Sequence, residues 1–134
     1  MILCDTGVLV CLIDTKQTQH KKYRDIIQSE QQHLITTWSC LTEAMYLLYR
    51  CGGWSMQKQL GQLLVGGILT IQVFNHSDYD RILELMQKYK DRPMDFADAT
   101  LVITAERTGI KKILTLDSDF LFYRIHDRSS FEII

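Results

Sequence analysis

Apolar and polar positions along this chain fall into blocks whose period switches between that of a strand and that of a helix. Ile2-Leu3-Cys4 is a short apolar run that stops on Asp5 and reads as a buried strand. Thr6-Gly7 turns the chain, and Val8 to Ile13 continues as a short apolar helix. Thr15 to Gln32 is polar and helical, with Tyr23, Ile26 and Ile27 facing inward and Lys21, Lys22 and Arg24 as a basic flank. His33 to Thr37 reads as a second strand. Ser39 then serves as an N-cap, and Leu41, Ala44, Met45, Leu47 and Leu48 are spaced for a core-facing stripe that ends at Gly52-Gly53. Glu43 falls inside that stripe rather than opposite it. Trp54 to Val65 forms another helix, closed by Gly66-Gly67, and Ile68 to Phe74 alternates and is β-branched, hence a third strand. Ser77 caps the next helix with Asp80 at the capping-box position; Tyr79, Ile82, Leu83, Met86 and Tyr89 are its apolar stripe, and Asp91-Arg92-Pro93 breaks it. Asp95 to Thr108 is a helix that turns at Gly109, Lys112 to Leu116 is a fourth strand, and Phe131 to Ile134 is a last strand at the sheet edge.

Strands separated by helices imply βαβ units, and so an α/β fold with a parallel sheet and right-handed crossovers. Ligands of such sheets lie outside the C-terminal ends of the strands. The acids of this chain collect there. Asp5 follows strand one, Glu43 lies one helical turn past strand two, and Asp117 and Asp119 follow strand four. Asp95 and Asp98 open the helix before strand four, one turn apart on one face. Acids at a helix start are favoured by its positive end, and Asp117 and Asp119 could simply terminate a strand. Asp5 is harder to dismiss, because an acid directly after a buried strand needs a partner or a cation. Clustered carboxylates without His or Cys suit Mg²⁺ or Mn²⁺, hard cations that take oxygen ligands.

Composition narrows the classes. The 134 residues are read as one domain, 1–134, with 46% hydrophobic and 23% charged residues. A net charge of −1 leaves any polyanion to local patches or to bridging metal ions. Cys4, Cys11, Cys40 and Cys51 lack metal-ligand spacing and read as four reduced, buried thiols of a cytosolic protein. No apolar run reaches the ~18 residues of a membrane span, and the MILCDTG start lacks the basic region of a signal peptide.

Four segments carry a resemblance: L-C-D-T-G at Leu3 to Gly7, T-T-W-S-C-L-T-E-A at Thr36 to Ala44, D-F-A-D-A-T-L at Asp95 to Leu101, and T-L-D-S-D-F at Thr115 to Phe120. Together, in this order and over nearly the whole chain, they resemble the PIN-domain nucleases, close to the toxin ribonucleases of bacterial VapBC toxin–antitoxin modules. The resemblance implies a three-layer α/β/α domain with a parallel sheet in the order 3-2-1-4-5. It implies a cytoplasmic, homodimeric endoribonuclease that uses Mg²⁺ or Mn²⁺, acts on single-stranded or looped RNA and is held by an antitoxin protein. It assigns catalytic roles to Asp5, Glu43, Asp98 and Asp117, with Asp5, Asp98 and Asp117 as metal ligands and Asp5 central. Thr6 and Thr115 match the accompanying hydroxyl residues. Asp95 could replace or assist Asp98, and Asp119 could compete with Asp117. Gly7 stands where Ser or Asn is frequent in the family.

Candidate phosphate contacts are Lys21, Lys22, Arg24, Arg50, Arg124 and Arg128, set against the plain reading of solvated surface. Trp38 and Trp54 could stack bases, although core packing is the default for such rings. Rival readings are a phosphatase or phosphoacceptor domain, a housekeeping nuclease without an antitoxin, and a non-catalytic interaction domain. The D-x-D spacing of Asp117 and Asp119 suggests the first of these. Such phosphatases, however, carry that motif after the first strand and not the fourth.

Overall fold

The structure, a computed structural model, describes residues 1–30 and 33–134. The expected helical residues Gln31 and Gln32 lie outside the described residues. In order, the chain forms β1 (Ile2–Cys4), α1 (Thr6–Ile13), α2 (His20–Glu30), β2 (Leu34–Thr37), α3 (Trp38–Gly52), α4 (Trp54–Val65) and β3 (Leu69–Gln72). It continues with α5 (Asp78–Lys88), α6 (Phe96–Thr108), β4 (Lys112–Leu114), a 3-10 turn (Ser118–Leu121), β5 (Arg124–Ile125), β6 (Ser129–Ser130) and β7 (Glu132–Ile133). The main sheet is parallel throughout, in the order β3-β2-β1-β4-β7. This is the 3-2-1-4-5 topology. Its edge strand is seventh because the small antiparallel β5–β6 ladder, unsignalled by pattern, comes before it.

Strand alternation divides the core. Leu3, Ile35 and Ile113 face one side, where Ile82 and Leu85 of α5 and Leu101 and Val102 of α6 cover them. Ile2, Cys4, Leu34, Leu69 and Leu114 face the other, under Val8 and Leu9 of α1, Tyr23 of α2, Leu41 and Leu48 of α3 and Leu60 of α4. Ile2, Leu3, Cys4, Ile113 and Leu114 have no solvent exposure, which is why β1 and β4 read as continuous apolar runs.

Several expected details differ. α1 begins at Thr6 instead of Val8, because Asp5 is extended and its side chain accepts the Thr6 N–H as an N-cap. α2 begins at His20, because Asp14 accepts from Lys16 N and Gln17 Nε2 and folds Thr15–Gln19 into turns. α3 is capped by Thr37, whose hydroxyl accepts the Cys40 N–H, and not by Ser39. Ser77 makes no side-chain cap, so no box forms with Asp80; Asp78 accepts the Asn75 N–H instead. On α5 Ile82 and Leu85 are buried, and Met86 and Tyr89 pack partly buried against the same core as expected, but Tyr79 and Leu83 are exposed. β2 omits His33, β3 ends at Gln72 and β4 at Leu114. Cys51 is exposed, unlike the other three free cysteines. Trp38 and Trp54 are exposed rather than packed in the core. Among the described residues no helix is long and apolar enough to cross a membrane.

Candidate active site

The C-terminal ends of β1, β2 and β4 open onto a cleft of about 330 Å³ lined by Asp5, Thr6, Gly7, Glu43, Leu47, Asp95, Asp98, Leu116 and Asp117. Asp5 sits at its centre because β1 is the central strand, flanked by β2 and β4. Its Oδ1 accepts the Thr6 N–H at 2.7 Å, and its Oδ2 accepts the Thr115 hydroxyl at 2.8 Å. Cys40 Sγ lies 3.9 Å from Oδ1. Thr115 also accepts the Asp117 N–H at 3.0 Å, so one hydroxyl holds two acids in register. The Thr6 hydroxyl reaches Glu43 Oε2 at 3.3 Å and ties α3 to α1 across the cleft.

α6 contributes the opposite pair. Asp95 is its N-cap, accepting the Asp98 N–H at 2.7 Å, and Asp98 accepts the Asp95 N–H at 3.3 Å, a reciprocal capping box. The same Oδ2 of Asp98 accepts the Tyr123 hydroxyl at 3.4 Å, from a tyrosine with no solvent exposure. The buried Thr37 and Thr100 hydroxyls bond at 2.9 Å and join α6 to the end of β2.

A common arrangement follows. Asp98, Asp117, Asp95 and Glu43 each have one oxygen tethered by a protein donor, while the second accepts no hydrogen bond among the described residues. Among the described residues no basic side chain lines the cleft. Burial drives the Asp5 carboxyl above its usual range, opposed by the Thr115 and Thr6 hydrogen bonds and reinforced by Asp117 and Asp95. Burial, then the charges of Asp95 and Asp5, push Asp98 up to about 7. Burial and the Asp5 charge push the Cys40 thiol up to about 12, so it stays protonated. The donor set is thus carboxylate oxygen without thiolate or imidazole, held in mutual repulsion, and a hard divalent cation fits it. Among the described residues no three His, Cys, Asp or Glu side chains form a ready-made cage. An open site of this kind suits Mg²⁺, which takes few carboxylates and keeps several waters.

The family model of the PIN domain matches residues 2–126. The chain belongs to the PIN-domain family. It is 25% identical over 116 residues to ribonuclease VapC26 of Mycobacterium tuberculosis, spanning 87% of this chain and 86% of that protein. Its fold matches the crystal structure of M. tuberculosis VapC20, described as a sarcin–ricin loop cleaving toxin. The TM-score there is 0.80, with 19% identity over 89% of this chain and 92% of that one.

In this PIN domain the sequence candidates separate into three sets. Asp5, Thr6, Glu43, Asp95, Asp98 and Asp117 line the cleft, with Thr115 directly behind Asp5. Asp119 does not line it; its N–H holds Asp117 Oδ1 at 2.9 Å and its carboxylate pairs with Arg92 at 3.6 Å. The six basic candidates stand outside. Lys21 and Lys22 are exposed on α2, Arg24 pairs with Asp25, and Arg128 is exposed. Arg124 is spent on the carbonyls of Leu121 and Tyr123. Arg50 lies over the Tyr46 ring. Sequence reasoning missed Tyr123 and Cys40, both apolar-patterned positions whose polar atoms reach the acids only after folding. It also left Gly7 without a structural reason. A Cβ there would meet the Leu116 side chain, with Cδ1 at 3.1 Å, so Gly7 leaves room for that leucine beside Asp5 and Asp117.

Proposed function

We propose that this PIN domain is a metal-dependent endoribonuclease that hydrolyses RNA phosphodiester bonds with Mg²⁺ or Mn²⁺, and that it is the cytoplasmic toxin of a toxin–antitoxin pair. The observation that carries the reading is a cleft of carboxylates centred on Asp5, in which Asp98, Asp117, Asp95 and Glu43 each keep one oxygen free of hydrogen bonds and no basic side chain lines the wall, among the described residues. The relative named ribonuclease VapC26 supports the same reaction class.

Asp5, Asp98 and Asp117 are the residues that would hold the cation. When bound, such an ion makes a water nucleophilic near neutral pH and stabilises charge on the phosphate and the leaving oxygen. The residues do the rest. Thr115 and Thr6 fix the Asp5 carboxylate, and Tyr123 and the Asp95 N–H hold Asp98 through Oδ2, leaving Oδ1 without a hydrogen bond among the described residues. Glu43, exposed at the rim and held by Thr6 through Oε2, has Oε1 free to accept a proton from an attacking water.

The test is cleavage of a mixed RNA pool with Mg²⁺ or Mn²⁺, with and without chelator, beside Asp5→Asn and Asp98→Asn. Cleavage that needs the ion and is lost in both variants is expected; activity surviving both substitutions overturns the assignment. A short reading frame for an antitoxin beside this gene separates the toxin from a housekeeping nuclease. The homodimer reading is supported by exposed Trp38, Val73, Tyr79 and Phe96 around a second cleft of about 270 Å³. Sedimentation at twice the chain mass is expected, and a monomer overturns it.

A further inference from the structure

Among the described residues the acid cleft carries no basic side chain on its lining, so a polyanion crossing it must be held from its flanks. Two arginines stand there, and each lies on an exposed aromatic ring. Arg50 is over Tyr46, with Cζ 5.9 Å from the ring centroid and Nη1 3.4 Å from the hydroxyl. Both belong to α3, three and seven residues beyond Glu43, and so continue the helix face that bears it. Tyr46 is 59% exposed. On the other flank Arg92 lies over Phe122 with Cζ 3.4 Å from the centroid, and Phe122 is 47% exposed. Arg92 Nη1 is 3.6 Å from Asp119, whose N–H holds Asp117 of the cleft. α3 follows β2, and the segment from Asp117 to Phe122 follows β4. Since β1 lies between those strands, the two pairs bracket Asp5.

Resting on the ribonuclease reading of the cleft, we propose that the Tyr46–Arg50 and Phe122–Arg92 pairs are two nucleotide platforms that hold unpaired RNA on either side of the scissile phosphate. A ring or a stacked guanidinium plane offers a face to a base, and the guanidinium edge keeps N–H donors for a phosphate. Stacking of this kind requires a base free of its own neighbours, so the substrate is a single strand or loop rather than a duplex. The basic residues of α2 do not compete for this role. Arg24 is paired with Asp25 and borders a separate apolar cleft with Leu12, Ile13 and Ile27.

The test is equilibrium binding of a fluorescent, unstructured RNA oligonucleotide to the whole chain in chelator, read by anisotropy. Tyr46→Ala and Phe122→Ala each weaken binding by about tenfold, the scale of one lost base stack (~1.4 kcal/mol). Phe122→Leu, which keeps apolar volume, weakens it equally. Arg50→Ala and Arg92→Ala each flatten the salt dependence by about 0.7 of a logarithmic slope unit. Trp54→Ala, an exposed ring that does not line the cleft, changes nothing. Platform variants that bind like the parent, a Trp54→Ala loss of equal size, an RNA duplex bound as tightly, or no binding of the oligonucleotide by the parent chain each overturn the proposal. If the platform losses appear but metal-activated cleavage does not, the ribonuclease reading falls and the platforms stand. If cleavage appears and the platform variants match the parent, the platforms fall alone.

Discussion

Two regions of this PIN domain gather acidic side chains, and they treat them in opposite ways. Between α5, α6 and the β5–β6 turn, Arg81 is bidentate to Glu106 at 2.9 and 3.1 Å and also meets Glu84 and Asp127. Lys88 meets Asp127 at 2.8 Å. Those bonds hold the Asp127 carboxyl below its usual range, and they fix His126 and Asp127 at φ of 52° and 60°, the left-handed turn that closes the β5–β6 ladder. In the cleft, Asp5 and Asp98 meet only neutral donors and other acids, and both are driven above the usual range. Equal chemistry therefore has opposite sign. Where the chain supplies its own cations, carboxylates stabilise the fold. Where it withholds them, burial and mutual repulsion leave the carboxylates holding protons more tightly than free ones do.

Neutralising one acid in each region has opposite consequences. Asp5→Asn and Asp98→Asn lower RNA cleavage by about a thousandfold or more, the scale of removing a member of a catalytic unit. Melting temperature without metal holds or rises in both, because repulsion is relieved. A clear loss of stability would make these acids structural. Glu106→Gln does the reverse: it costs about 2 kcal/mol by denaturant titration, since Arg81 loses a nearly buried partner, and cleavage is unchanged.

A smaller effect is expected in pH dependence. Asp98, pushed up to about 7, keeps its proton in the folded chain after an unfolded carboxyl at 3.8 has lost its own. The folded state then binds more protons between those values, so metal-free stability falls as pH rises through that window. Asp127 runs the other way, its contribution being lost as pH falls through its depressed value. Chemical denaturation at a series of pH values shows the neutral-side decline in the parent chain and a flatter profile in Asp98→Asn. Mg²⁺ at tenfold its dissociation constant restores about 1.4 kcal/mol in the parent alone. A flat parent profile removes the electrostatic half of the comparison. Smallest is Tyr123→Phe, which takes away one hydrogen bond to Asp98 and keeps the ring packing against Phe120 and Tyr89. About 1 kcal/mol or less is expected, seen as a weaker dependence of cleavage on metal concentration.

Much of the fold was legible because strand and helix periods are local properties. The runs at Ile2–Cys4 and Ile113–Leu114 and the helix from Asp95 to Thr108 carry their own signals, and their order implies the parallel sheet. Boundaries failed where one side chain overrode propensity, as with Asp5 starting α1 and Thr37 starting α3. The β5–β6 ladder was illegible because its strands are two residues each and its turn holds non-glycine residues in a left-handed conformation. At the site, the resemblance ranked Asp98 and Asp117 ahead of Asp95 and Asp119; in the structure Asp95 caps α6 and lines the cleft beside Asp98, while Asp119 pairs with Arg92 outside it.

Local pattern was enough for the class of fold, the edge of the sheet on which acids meet, and the set of acids that line the cleft. Periodicity and topology are sufficient for that, since strand ends in a parallel sheet share an edge. Three-dimensional packing was needed to show which oxygens are tethered and which accept no hydrogen bond among the described residues, that no described arginine or lysine lines the cleft, and that Tyr123 reaches Asp98. Those facts depend on distances of a few ångströms between residues as far apart as Asp5 and Thr115, which no local pattern encodes.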